Sequence, residues 1–184
     1  GEDVRCVASV ASFFVSRVDA MVEKKFEDLV KNGKVGSQLK DTFFGKVGVA
    51  NCKLAYAAFE RIFGSERFKK LQENGARVQR PLWASTGTKN PVFKAVMYVE
   101  ELAGRDTVNT MPPATVKALL QGAHVSPRLH ADCDSARKLV SSVEGMGIAF
   151  DDVLHELQVA GVKSFADSYR ELLSSIDQKR ALVQ

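Results

Sequence analysis

RPLWASTGTKNP, Arg80 to Pro91, sets a short apolar run (Pro81, Leu82, Trp83, Ala84) directly before small hydroxyl residues, a glycine and a lysine. Asn90 and Pro91 then stop the segment. This order predicts a buried strand over Val78–Ala84 that opens into a polar loop. The loop offers backbone N–H groups, the hydroxyls of Ser85, Thr86 and Thr88, and the Lys89 ammonium within a small space, a set suited to an anion such as phosphate. A solvent-facing turn made of ordinary turn formers is the competing reading of the same residues. Lys89 lacks the G-x-x-x-x-G-K-[ST] frame, so the loop is not a P-loop.

Upstream, VASVASFFV (Val7–Val15) is apolar, small and partly β-branched, which predicts a strand buried on both faces. Ser12 and Phe14, two residues apart, share one of those faces. Arg17 follows just beyond the strand's carboxyl end, where a surface ion pair with Asp19 or Glu23 is its competing role. Downstream, DTVNTM (Asp106–Met111) is a third strand candidate. Between and after these lie helical patterns over 18–31, 45–63, 66–74, 92–102 and 114–121, the clearest being Gly45–Phe63 with Val47, Ala50, Leu54, Ala58 and Ile62 in one stripe. The alternation implies an α/β chain of parallel strands joined by crossovers. Three more helices are expected at Asp132–Glu144, Phe150–Ala160 and Ser164–Ile176, the last two parted by Gly161-Val162-Lys163.

Composition narrows the function classes. The 184 residues carry a formal charge of +4 and a pI near 9.0, with basic and acidic residues interspersed. This fits a few anion contacts and lacks the clustered basic stripe of a nucleic-acid surface. Cys6, Cys52 and Cys133 are odd in number and widely spaced, with neither a disulfide framework nor metal-ligand spacing, which suggests a reducing cytoplasm. His124, His130 and His155 share no helical face and no cysteine partner, so no metal is assigned. No apolar run approaches the ~20 residues of a membrane span. The first residue is Gly, so the chain reads as trimmed or as a piece of something longer.

Four segments together resemble the transaldolases of the bacterial and plant-type branch. They are VASFFVSRVD from Val10, GKVGVAN with KLAY from Gly45, RPLWASTGTKNP from Arg80, and YVEELAGRDTVNTMP from Tyr98, in the family's order. The tail GIAFDDVLHELQVAGVKSFADSYRELL is similar to the family's carboxyl-terminal helices.

The resemblance implies the carboxyl-terminal portion of a TIM-type (β/α)8 barrel, strands six to eight with additional helices, over residues 1–184, with 132–184 as a helical segment. It implies transfer of a dihydroxyacetone unit from sedoheptulose 7-phosphate to glyceraldehyde 3-phosphate in the pentose phosphate pathway, through a lysine Schiff base and without a cofactor. The family carries that lysine on the fourth strand, with a glutamate on the third and an aspartate on the first, so this chain is expected to hold no catalytic residue and to be inactive alone. By the same resemblance Ser12 and Phe14 line the pocket, Arg17 meets the substrate phosphate, and Ser85 and Lys89 are phosphate contacts of the seventh strand. Implied partners are sugar phosphates and the missing amino-terminal half of the barrel, with no nucleic acid or membrane. Two alternatives stay open. One is a truncated paralogue serving as a phosphate-binding or assembly module; the other is a purely helical interaction protein, which the proline inside VQRPLWA disfavours.

Overall fold

The computed structural model describes residues 3–182, which divide into two compact units, one ending at Ile148 and the other starting at Ala149. In the first unit three parallel strands, β1 (Val10–Phe14), β2 (Arg80–Ala84) and β3 (Val108–Asn109), form one sheet in the order β1-β2-β3. Helices α1 (Ser16–Lys31), α2 (Lys40–Phe43), α3 (Val47–Phe63) and α4 (Glu66–Glu73) connect β1 to β2. The short α5 (Met97–Glu101) connects β2 to β3, and α6 (Pro113–Gln121) and α7 (Cys133–Gly145) follow. Such helical crossovers are what parallel pairing requires.

The sheet has two unlike faces. Phe13, Pro81 and Trp83 point to the helices, and Trp83 is wholly buried. Phe13 packs on it with ring centroids 5.9 Å apart, and its indole N–H donates to the Leu102 carbonyl at 3.1 Å. Val15, Cys52, Tyr56, Tyr98, Leu102 and Leu129 close the same cluster. On the opposite face Val10, Ser12 and Arg80 are exposed. The expectation of a first strand buried on both sides is therefore corrected: Val10 and Ser12 on that second face are exposed and Phe14 is half-buried.

Helix α1 buries Val18, Val22 and Phe26 at spacings of four, and Phe26 meets the rings of Phe43 and Phe44 at 6.1 and 5.7 Å. Ser65 caps α4 by accepting from the Phe68 amide.

Several expected elements are shorter. The first strand begins at Val10 rather than Val7, and the third spans two residues. Residues 92–96 are not helical; Asn90 accepts the Val92 amide on its side chain (3.1 Å) and the Phe93 amide on its carbonyl (3.1 Å), a local turn in place of the first helical turn.

In the second unit the two expected helices are one, α8 (Phe150–Ala181), which runs through Gly161 without a break. An interior glycine costs a helix only about 1 kcal/mol, and no proline accompanies it. Val162, Phe165, Tyr169, Leu172 and Ile176 lie exposed along α8 at three- and four-residue steps.

Trp83 has no exposed surface and one buried hydrogen bond, so Trp83→Ala is expected to destabilise the protein by about 3–5 kcal/mol, whereas Ser12→Ala on the open face stays within about 0.5 kcal/mol. Urea unfolding of both variants checks this contrast.

Candidate functional site

The pairing of β1 with β2 is level, Ser12 opposite Leu82 and Phe14 opposite Ala84, so both strands end together. The ladder continues past their ends. The Val15 amide donates to the Ala84 carbonyl (2.9 Å) and the Ser16 amide to the Ser85 carbonyl (3.1 Å), which ties the first turn of α1 to the loop after β2. Ser85 there has φ 57°, a left-handed backbone that a residue with a Cβ adopts rarely.

Arg17 projects from that first turn, with its guanidinium carbon 4.4 Å from the centroid of the Phe14 ring, a cation–π contact. The competing ion pair with Asp19 or Glu23 is absent: both carboxylates bond elsewhere, and Arg17 has no carboxylate partner among the described residues. Lys89 is exposed and equally unpaired. Ser12 and Phe14 share the open face of β1, as their spacing requires. Ser12, Phe14, Arg17, Ser85 and Lys89 thus all belong to β1, β2 or the segments leaving their carboxyl ends.

The loop is braced from below. Thr86 is buried and its hydroxyl donates to the Thr110 carbonyl (2.8 Å), while the Thr110 amide and hydroxyl both donate to the Trp83 carbonyl (3.0 Å each). A side chain at Gly87 would press on the Pro112 ring, at 3.1 Å from its nearest carbon. The Ser16 hydroxyl is buried at the start of α1 and has no hydrogen-bond partner among the described residues.

Sequence reasoning missed a buried carboxylate next to this site. Asp19, 3% exposed, accepts from the Gly48 amide (2.7 Å), the Tyr98 hydroxyl (2.6 Å) and the Val47 amide. It caps the amino terminus of α3 from another helix, where unpaired amides and the helix dipole favour a negative group. Burial nevertheless pushes its pKa up to about 6, with the three donors acting in the opposite sense. Burial and the Asp19 charge also raise Tyr98 and Cys52, so neither ionises near neutrality. The signal was present: Val15, Val18, Asp19, Val22 and Phe26 fall at helical spacing on one apolar stripe. A methyl group at Gly48 would run into the Val15 carbonyl oxygen, so the two helices meet there without room for a side chain.

None of the three strands carries a lysine. Among the described residues no group of three histidines, cysteines or carboxylates could hold a metal ion, and no helix is long and apolar enough to cross a membrane.

The family model described as Transaldolase/Fructose-6-phosphate aldolase matches residues 3–176. The chain belongs to the transaldolase family. It is 44% identical over 185 residues to Transaldolase 2 of Nostoc punctiforme, covering 97% of this chain and 48% of that protein. It is 44% identical over 176 residues to a transaldolase of Mycolicibacterium smegmatis (95% and 46% covered) and 42% identical over 182 residues to one of Thermobifida fusca (98% and 48%). The chain spans about half the length of these curated transaldolases.

The raised pKa of Asp19 gives a signed expectation. Between about pH 4 and pH 6 the folded state binds a proton that the unfolded state has released, so this contribution is full below pH 4 and is lost as pH rises through 6. Its size is about 3 kcal/mol. Glu23, raised mainly by burial and further by the Asp19 charge, acts in the same direction, and Asp19→Asn removes that second part as well. Urea unfolding at pH 4 and pH 7 should therefore show a loss in the wild type exceeding that in Asp19→Asn by about this amount.

Proposed function

We propose that this chain is the carboxyl-terminal portion of a transaldolase (β/α)8 barrel, with β1, β2 and β3 as its sixth, seventh and eighth strands, and that it grips the phosphate end of a cytoplasmic sugar phosphate. The observation that carries this reading is the level end of β1 and β2 in a chain of this family. Arg17 and the Ser85–Lys89 loop leave the sheet at the same end. Barrel enzymes bind substrate at the carboxyl ends of their strands and hold phosphate in the loops of the last ones.

In this reading Arg17 and Lys89 contribute charge-assisted hydrogen bonds to the phosphate, about twice as strong as neutral ones. Ser85 adds its hydroxyl, and Ser12 and Phe14 line the wall. The reaction moves a dihydroxyacetone unit from sedoheptulose 7-phosphate to glyceraldehyde 3-phosphate through a lysine imine, which withdraws electrons from the carbon whose bond breaks. The amine comes from polypeptide outside these 184 residues, since no strand here holds a lysine. The same observation favours a second reading, a phosphate-binding or assembly module with no turnover.

The chain alone, incubated with sedoheptulose 7-phosphate and borohydride, is expected to show no trapped lysine and no transfer. A lysine adduct on this chain would sink the proposal. Adding the unmatched half of the Nostoc punctiforme relative should restore transfer; retained phosphate binding without it favours the second reading. Arg17→Ala should weaken phosphate binding by roughly tenfold or more.

A further inference from the structure

The Asp19–Tyr98 hydrogen bond joins the two pieces of chain that carry the candidate phosphate ligands. Asp19 lies two residues beyond Arg17 in the first turn of α1. Tyr98 lies in α5, the helix that follows the Ser85–Pro91 loop. Their side chains meet at 2.6 Å, with Asp19 3% and Tyr98 2% exposed, so water does not compete for the contact. The other oxygen of Asp19 takes the Gly48 amide, which leaves the carboxylate a single way to sit.

We propose that Asp19 and Tyr98 form a positioning pair for the anion site, holding the first turn of α1, and with it Arg17, in register with the loop that bears Ser85 and Lys89. Neither residue touches the anion; both act through Arg17. The inference rests on the phosphate reading given above.

Electrostatics alone makes the opposite demand. A carboxylate two residues from an anion-binding arginine repels the anion, so removing its charge by any substitution would tighten binding. If position dominates, Asp19→Ala weakens binding, because the anchor to Tyr98 and α3 is lost. Asp19→Asn, which keeps an acceptor for Gly48 and a partner for the Tyr98 hydroxyl, stays close to the wild type. The other titratable groups that the Asp19 charge raises, Glu23 on α1 and Cys52 on α3, keep their side chains in all variants and lose only that push when Asp19 is replaced.

The test titrates the 184-residue chain with sulfate, which does not change protonation between pH 5 and 8, and follows the Arg17 Nε–H resonance, shifted by the Phe14 ring current. Tyr98→Phe and Asp19→Ala are each expected to weaken sulfate by about 5- to 10-fold and to move the Arg17 resonance, with the double variant no worse than the stronger single one. Tyr56→Phe, which removes a hydroxyl bonded to the Arg105 carbonyl at 3.2 Å, serves as the control and leaves both readouts unchanged. Sulfate binding that Arg17→Ala abolishes, but that Tyr98→Phe and Asp19→Ala leave within twofold, overturns the positioning role alone. Tighter binding in both Asp19 variants does the same. No sulfate binding by the wild type, or binding indifferent to Arg17→Ala, overturns the phosphate reading itself.

Discussion

The β1–β2 ladder is the contact on which the rest of the structure depends. Two five-residue strands pair in level register, and the pairing runs on through Val15 and Ser16 into the turn where one strand becomes a helix and the other a loop. Backbone hydrogen bonds therefore set where α1 begins relative to the Ser85–Lys89 loop, and side chains refine it. Trp83, fixed on the helix side of the same ladder, organises the core beneath.

The two faces of the sheet make the asymmetry of the molecule clear. The helix side is dry enough to raise a carboxylate's pKa to about 6 and to leave the Ser16 hydroxyl unpartnered, yet the other side exposes Val10 and Ser12. A parallel sheet is ordinarily covered on both faces.

Much of this was legible beforehand because the deciding residues follow local rules. Apolar runs that give way to Ser16 and to Ser85 marked β1 and β2 to within three residues of their ends, and the stripe of Val47, Ala50 and Leu54 marked α3. Where reading failed, a nonlocal contact or a local turn had overridden the pattern. Asn90 captured the amides of residues 92 and 93, which no periodicity shows. Gly161-Val162-Lys163 looked like a break, but a glycine amid good helix formers is tolerated. Asp19 enters the sequence reading only as a competing partner for Arg17, because its own partners, Gly48 and Tyr98, are 29 and 79 residues away. That Ser12 and Phe14 share a face of β1 and that Arg17, Ser85 and Lys89 lie beyond strand ends followed from strand boundaries, whereas grouping the five as a site came from the family resemblance.

The left-handed backbone of Ser85 sets stability against chemistry at one atom. Glycine would relax that φ of 57° and spare on the order of 1 kcal/mol, yet it would delete the hydroxyl at the rim. A library screened for thermal resistance alone should drift toward glycine there, while one screened for ligand retention should keep serine. The position reports which of the two pressures a population of variants has experienced.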